Sequence, residues 1–394
     1  MLESIPAEHL SIYGYERDLT PNIDYLAKRG IVFNNAYSTA SHSDYAQTSF
    51  LSSRYTFTNP YRNFFDEDYP REFMWDILDD YNYDQAYISS QDDNWASMIN
   101  YYNTSALDLY SYSLTDGEYD YGSGNAKKDY DEKTINKSID WISKTKNPFF
   151  LYINLQATHH PYSYPENNSL FKPDNVSSDT TYFNIEERDY NASLNAYDNS
   201  IAYVDKQIGV LLDYLKNERK ILGKTIVVIT SDHGETLERN HGYLRHGFGV
   251  YDEEIRVPLI IYIPHKPPRT INENVRHLDV IPTMLDIANF PQSEEFQGKP
   301  MTENKNIFLI AQNQNFKLGL VKDDIKYMIN GFNYIPEVYN LTQDPYEKNN
   351  LIKNKKDELY YYMKYGNVLY SWANCQMSYY EKEKWKKGDV IRCE

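Results

Sequence analysis

Residues 225–235 read TIVVITSDHGE, an apolar run followed at once by a carboxylate, an imidazole and a glycine. A short apolar run that ends at polar residues is typical of a buried strand. Asp232 and His233 then come at a strand terminus, where a carboxylate and an imidazole together suit a divalent cation. A capped loop with a surface histidine would show the same letters, so this stretch alone leaves both interpretations open.

Two further apolar runs, residues 149–155 and 257–263, are also predicted to be buried parallel strands. Residues 194–217 instead have helical spacing, with one apolar face formed by Ala196, Ile201, Val204, Ile208, Leu211 and Leu212. Strands that alternate with amphipathic helices predict an α/β fold, with a doubly wound, mostly parallel sheet and helices on both faces. Such sheets carry their chemistry at the carboxyl ends of the strands.

The pattern changes near residue 300, where short strand-like runs (IFLIAQ, FKLGLV, IKYMI) alternate with turns. We expect a catalytic domain over residues 1–299 and a small C-terminal subdomain over residues 300–394. That subdomain should contain an antiparallel sheet and, from Asp357, a helical, solvent-facing tail. Cys375 and Cys393 allow one disulfide and form no metal-binding pattern.

Charge and hydropathy limit the partners of this chain. With 40 Lys and Arg against 57 Asp and Glu, the formal net charge is −17, which argues against nucleic-acid binding. No apolar stretch reaches the roughly 18 residues of a membrane span, and the first residues lack the features of a signal peptide. Because MLES leaves no room for an opening strand, we expect a missing first strand, with any membrane anchor before it. The cellular location stays open, with an extracytoplasmic position as one alternative.

Seven ordered blocks give a specific resemblance. They are YGYERDLTPNIDYLAKRGIVFNNAYSTA, FFLYINLQATHHPY, VDKQIGVLLDYL, TSDHGE, YDEEIRVPLII, HLDVIPTMLDIA and YNLTQDPYEKNNL. In sequence and order they resemble the sulfatase branch of the alkaline phosphatase superfamily. The resemblance implies an alkaline-phosphatase-like fold and an enzyme that attacks a phosphate or sulfate ester with a side-chain nucleophile.

The same resemblance implies site residues. Ser43 lies where these families keep their nucleophile, and His159 matches a histidine that contacts the ester group. His246, in YLRHG, resembles a histidine of phosphoethanolamine transferases. Both histidines are expected to act in catalysis and substrate binding, by donating hydrogen bonds to the ester oxygens or by protonating the leaving group. Arg256 is either a substrate contact or a salt-bridge partner of a neighbouring acid, and Gln47 is expected to bind substrate. The implied metal ligands are Glu3, Ser43, Asp232 and His233.

The segment around the nucleophile departs from ordinary sulfatases. In these enzymes C/S-x-P/A-x-R directs conversion of Cys or Ser to formylglycine, whereas here Tyr45 replaces Pro/Ala and Gln47 replaces Arg. We therefore expect no formylglycine. An unmodified serine or threonine beside Glu, Asp and His ligands instead resembles lipoteichoic acid synthases and phosphoethanolamine transferases. The blocks YDEEIRVPLII and YNLTQDPYEKNNL, in contrast, resemble soluble sulfatases.

The prediction is a metal-dependent hydrolase or transferase that acts on a phosphoester through unmodified Ser43. One alternative is a sulfuric ester hydrolase, and a second is an inactive carbohydrate- or lipid-binding homologue. The substrate would be a small-molecule, glycan or lipid-headgroup ester. Two carboxylates, a hydroxyl and an imidazole favour one Mn²⁺ or Zn²⁺ ion, with Ca²⁺ or Mg²⁺ as alternatives.

Overall fold

Strands and helices alternate along the chain in the computed structural model. It describes residues 1–57, 65, 69–113, 131–175, 189–237, 240–242, 245–301, 306–312, 316–330, 335–381 and 393. The strands are β1 (Ile31–Tyr37), β2 (Asp84–Ser89), β3 (Leu109–Ser111), β4 (Phe149–Asn154), β5 (Val227–Thr230), β6 (Arg256–Tyr262), β7 (Arg269–Arg276), β8 (Ile307–Ala311), β9 (Lys317–Lys322), β10 (Ile325–Asn330) and β11 (Pro336–Asn340). The helices are α1 (Pro21–Ala27), α2 (Ser43–Ser52), α3 (Met74–Asp79), α4 (Ile99–Tyr102), α5 (Asp131–Lys144), α6 (Tyr190–Asp213), α7 (Asp252–Ile255), α8 (Val280–Ile287), α9 (Lys355–Tyr361) and α10 (Asn367–Tyr380).

The described strands form three sheets, with the orders β3-β2-β4, β5-β6-β1-β7 and β11-β10-β9-β8. In the first sheet β2 pairs in parallel with both neighbours, and in the third the pairs are antiparallel. This mixed parallel arrangement with helices, followed by a separate C-terminal antiparallel sheet, confirms the predicted fold class.

One strand direction was predicted wrongly. The apolar run at residues 257–263 forms β6, as expected, but β6 pairs antiparallel to β5, with Val227 opposite Tyr262 and Thr230 opposite Leu259. An unbroken apolar run indicates burial on both faces, and strands of either direction satisfy that pattern. A parallel pair needs a crossover, usually a helix, and between β5 and β6 the described residues contain only the four-residue α7.

The chain divides into two compact units. The first comprises Met1–Asn34, Leu78–Ser231 and Pro258–Ile271, and the second comprises Asn35–Ile77, Asp232–Val257 and Asn272–Glu394. Within the described residues, no helix combines the length and apolar character needed to span a membrane.

In the first unit, Met1 and Leu2 lie between the ends of β4 and β5. Leu2 forms isolated parallel bridges with Leu155 and with Ser231. Its N–H donates to Thr230 O at 2.8 Å, and Leu155 N–H donates to Met1 O at 3.1 Å. Glu3 therefore follows a backbone segment that is bonded on both sides, and this holds it at the carboxyl end of the parallel strands.

Helix α6 organises the helical layer of the first unit. Its predicted face is buried, except that Leu211 is only half-buried. Its Asp205 carboxylate accepts the N–H groups of Asn22 and Ile23 at 3.1 and 2.8 Å. Those donors lie in the first turn of α1, which has no intrahelical acceptors for them, so Asp205 caps α1 from a neighbouring helix.

The second unit contains the C-terminal antiparallel sheet and α10. Trp372 of α10 stacks on Phe308 of β8, with ring centroids 4.5 Å apart and an interplanar angle of 2°. The predicted tail is helical, but the expectation that it faces solvent is wrong for α10, which buries Leu369 and Trp372. The many tyrosines concealed this apolar face in the sequence. Cys375 and Cys393 form the disulfide that the sequence allowed.

Candidate active site

Ser43 is the first residue of α2, and its side chain is buried. His42 before it has extended backbone, with φ −143° and ψ 139°, so the helix begins at the predicted nucleophile. Asp44 Oδ1 accepts Tyr45 N–H at 2.8 Å and satisfies one donor of the first turn. Because the positive end of the helix dipole lies at this terminus, Ser43 occupies a position that favours a bound anion.

Ser43 contacts His233 directly within the second unit. Ser43 Oγ lies 2.9 Å from His233 Nε2, and His233 Nδ1 lies 2.8 Å from Gly234 O. A carbonyl oxygen only accepts hydrogen bonds, so Nδ1 carries a proton in this contact, and in the neutral ring Nε2 presents a lone pair to Ser43. In that tautomer the Ser43 hydroxyl donates its hydrogen bond to Nε2, while the Gly234 carbonyl accepts the Nδ1 proton's hydrogen bond.

Asp232 lies beside this pair and is fully buried. Its Oδ1 accepts His233 N–H at 2.8 Å, and its Oδ2 accepts the Gln47 side-chain amide at 3.1 Å. Asp232 Oδ2 and His233 Nε2 are 3.6 Å apart. Gln47, predicted from the sequence to bind substrate, is one helical turn beyond Ser43 and here contacts a predicted metal ligand.

These residues of the second unit fit a divalent cation. A carboxylate oxygen of Asp232, the Nε2 lone pair of His233 and the Ser43 hydroxyl oxygen form a mixed oxygen and nitrogen set, which suits Mn²⁺ or Zn²⁺. The Gln47 amide and the His233 N–H that hold Asp232 are neutral donors. A bound cation would interact favourably with the charge of this fully buried carboxylate.

Glu235 and His246 form a second buried pair that sequence reasoning found only in part. His246 Nδ1 lies 2.6 Å from Glu235 Oε2, and Arg245 Nη1 lies 3.3 Å from Glu235 Oε1. The rings of His246 and His233 have centroids 4.2 Å apart. Burial, assisted by the neighbouring His233 and His42, lowers the pKa of His246 well below its usual value. Glu235 belongs to the SDHGE block, and that position could have identified it.

His42 and Asp44 flank the predicted nucleophile, and the sequence analysis did not identify either as a site residue. His42 Nδ1 lies 2.7 Å from Asp44 Oδ1, and the His42 and His246 rings have centroids 5.7 Å apart. The His-Ser-Asp sequence itself was the signal, because it places a histidine and a carboxylate on either side of Ser43. Together with His233 and His246, His42 makes this end of α2 rich in imidazole groups.

In the first unit, Glu3 is fully buried and held by hydrogen bonds. Its Oε2 accepts the Gln156 amide at 2.7 Å, and its Oε1 accepts the Ser4 hydroxyl at 2.8 Å. Thr158 donates to Glu3 O at 2.5 Å. These contacts order the Glu3 side chain near the start of the chain, and Gln156 is a contact that the sequence did not indicate.

His159 lies in the turn after β4 and is half-buried. Its Nδ1 is 2.7 Å from His160 O, so in this contact Nδ1 carries the proton and Nε2 presents a lone pair. Arg256, the first residue of β6, is also half-buried. Its charge acts on the buried Tyr37, whose pKa is nevertheless raised well above the usual value, first by burial and then by Asp252. A substrate contact by either residue stays a prediction.

Comparison with known proteins identifies the family of this chain. The family model described as Sulfatase matches residues 1–290. The uncharacterized sulfatase YidJ of Escherichia coli (strain K12) is 24% identical over 410 residues, covering 84% of this chain and 78% of YidJ. Phosphoethanolamine transferase EptA of Helicobacter pylori (strain ATCC 700392 / 26695) is 24% identical over 319 residues, covering 73% of this chain and 53% of EptA.

A solved structure from Vibrio parahaemolyticus, described as a protein in the alkaline phosphatase superfamily, shows the same fold. It superposes with a TM-score of 0.66 at 18% identity, over 94% of this chain and 86% of that protein. The family match covers most of the sequence, from the buried Glu3 through the Ser43 helix to the Asp232–His233 strand end. This chain therefore belongs to the Sulfatase family.

Proposed function

We propose that this protein is a metal-dependent hydrolase or transferase that acts on a phosphoester through the unmodified hydroxyl of Ser43. The observation that carries the proposal is the contact between Ser43 Oγ and Nε2 of His233, at 2.9 Å. Family relatives include sulfatases and a phosphoethanolamine transferase, so both ester classes occur among similar proteins. Tyr45 and Gln47, which replace the residues of the formylglycine signal, favour an unmodified serine.

Ser43, Asp232 and His233 would hold one divalent ion, with Mn²⁺ or Zn²⁺ favoured and Ca²⁺ or Mg²⁺ as alternatives. Glu3 as a fourth ligand rests on the sequence resemblance. When bound, such an ion lowers the pKa of a coordinated hydroxyl and offsets negative charge on the ester oxygens.

In the first step, Ser43 Oγ attacks phosphorus, and a new Oγ–P bond forms while the bond to the alcohol oxygen breaks. The proton that Ser43 loses is balanced by the one that the departing alcohol gains. The α2 terminus stabilises charge on the non-bridging oxygens. In the second step, water or an acceptor alcohol attacks the phosphoserine and restores Ser43. Attack by water makes the enzyme a hydrolase, and attack by an alcohol makes it a transferase.

Glu235 and His246 suit the second step. Because Nδ1 of His246 faces the Glu235 carboxylate at 2.6 Å, its Nε2 presents a lone pair when the ring is neutral. That lone pair can accept a hydrogen bond from an incoming hydroxyl. His159 has the same tautomer in its contact with His160 O, and its role at the ester rests on the sequence resemblance.

The charges around Ser43 favour an ester with a single negative charge. Arg245 is paired with Glu235, and Asp44 is paired with His42, so neither pair adds net positive charge. A phosphodiester carries one charge, whereas a phosphomonoester carries about two near neutral pH. We therefore expect a phosphodiester to be preferred. A sulfate ester has the same single charge, and for this reason sulfate-ester hydrolysis is the second candidate.

The decisive experiment is a matched assay on the metal-reconstituted protein. The substrates are a chromogenic phosphodiester, a phosphomonoester and a sulfate ester with the same leaving group, and Ser43→Ala is the control. We expect the phosphodiester to turn over fastest. Faster turnover of the sulfate ester would favour the sulfatase alternative, and no turnover of any ester would favour the inactive binding homologue.

A further inference from the structure

Helix α2 presents two side chains to the Asp232–His233 strand end. Ser43 and Gln47 are four residues apart and therefore lie on the same helix face. Ser43 Oγ contacts His233 Nε2 at 2.9 Å, while the Gln47 amide contacts Asp232 Oδ2 at 3.1 Å. One turn of helix thus contacts each of the two strand-end residues with a separate side chain.

The Gln47 contact restricts the Asp232 carboxylate. Both residues have 0% exposed area. Asp232 Oδ1 is held by the His233 N–H at 2.8 Å and Oδ2 by the Gln47 amide, so the carboxylate plane is fixed at both oxygens. A carboxylate oxygen has more than one acceptor site, so a hydrogen bond from Gln47 leaves Oδ2 able to bind a cation as well. Partners of this kind orient metal ligands in other proteins.

We infer that Gln47 is a positioning residue of the metal centre, acting through Asp232 rather than on the substrate. The inference rests on the proposed function. The Gln47 amide fixes Asp232 Oδ2 opposite His233 Nε2, and it brings no charge of its own to the site. An arginine in its place would add a positive charge beside the cation. Gln47 therefore supports divalent-ion affinity without adding a charge beside Asp232.

Calorimetric titration of the metal-free, full-length protein with Mn²⁺ and with Zn²⁺ tests this directly. Gln47→Met removes the amide donor at similar volume and should weaken metal affinity by about 10- to 100-fold. Gln47→Asn, which withdraws the amide by one methylene, is the second variant should the methionine protein fold poorly. Unchanged affinity in both variants would overturn the inference.

Gln297→Met is the matched control. Gln297 is a buried glutamine of the same unit, and its Oε1 accepts Tyr55 N–H at 2.7 Å. Its loss should lower the melting temperature but leave metal affinity unchanged. An equal loss of affinity in the Gln297 variant would show that a general effect on folding, rather than the Asp232 contact, explains the Gln47 result.

Steady-state kinetics test whether excess metal restores kcat, which it would not do if Gln47 had a purely structural role. In Gln47→Met, excess metal should restore most of kcat, and KM for the ester at saturating metal should match wild type. A raised KM with unchanged metal affinity would assign Gln47 to the substrate and overturn the inference. A wild type that binds neither Mn²⁺ nor Zn²⁺, and in further titrations neither Ca²⁺ nor Mg²⁺, would reject both proposals. A wild type that binds metal but cleaves no ester would reject the proposed catalysis alone, and the titrations would still decide the role of Gln47.

Discussion

Ser43 Oγ lies 2.9 Å from Nε2 of His233, although 190 positions separate the two residues in the chain. One residue begins a helix and the other follows a strand. The Gly234 carbonyl fixes the tautomer of the neutral imidazole, in which the Nε2 lone pair faces the Ser43 hydroxyl. This contact connects the predicted nucleophile to a predicted metal ligand.

His233→Ala should remove bound metal and activity together while the fold is kept, because His233 lies at a strand end rather than in the apolar core. We expect metal content close to zero and at least a hundredfold lower turnover, since catalysis is proposed to require the ion. Metal analysis of purified protein checks this. His241→Ala removes another largely buried histidine paired with a carboxylate, Glu253 at 2.9 Å, and should retain metal. Full metal occupancy in both variants would contradict the ligand assignment.

Peptide mass mapping should find a plain serine at position 43. Formylglycine would appear as an aldehyde lighter by one pair of hydrogens, and its detection would contradict our proposal. When the acceptor is limiting, a phosphodiester should leave a phosphoserine adduct on Ser43, because covalent catalysis divides the reaction into two steps. Ser43→Ala should lose both adduct and turnover. An adduct at Ser41 or Thr39 would keep the chemistry but move the nucleophile.

Lys326→Met should destabilise the protein strongly. Lys326 is fully buried, and its Nζ lies 2.5 Å from Asp252 Oδ1 and 2.8 Å from Glu347 Oε1. Without it two buried carboxylates lose their cation, which costs about 3–5 kcal/mol. Lys144→Met is the contrast, because the Lys144–Asp140 pair is 70% and 62% exposed. Its loss should cost less than about 1 kcal/mol. Urea unfolding of both variants measures the difference, and equal losses would contradict the argument.

Asp93→Asn should stabilise the protein increasingly as pH rises. Burial raises the pKa of Asp93 from 3.8 to about 7, although the hydrogen bond that Asp93 accepts from the Tyr110 hydroxyl at 2.5 Å acts to lower it. Between these pKa values the folded protein binds more protons than the unfolded chain, so wild-type stability falls as pH rises through that window. Asparagine does not ionise and avoids this loss.

The gain in unfolding free energy from Asp93→Asn should therefore be small near pH 4 and reach a few kcal/mol near pH 8. Denaturant unfolding at both pH values checks the sign. A gain that does not change with pH would mean that Asp93 does not titrate in this range.

Local sequence determined the elements and the family of this protein. The apolar runs predicted β4, β5 and β6, and the periodicity of residues 194–217 predicted the buried face of α6, because burial leaves a direct mark on residue type. The ordered motifs were specific enough to identify the family, which the match over residues 1–290 confirms. Strand direction left no such mark, and for this reason β6 was wrongly predicted to be parallel.

Only the tertiary structure decided which side chains contact one another around Ser43. Gln47 contacts Asp232, which lies 185 positions away in the sequence, and Glu235 contacts His246, which lies 11 positions away. Side-chain hydrogen bonds depend on distance and direction in space, and composition, spacing and periodicity carry no record of either. The sequence thus supplied the reactive groups, whereas the fold assigned their partners, because only folding brings the end of a strand to the beginning of a helix.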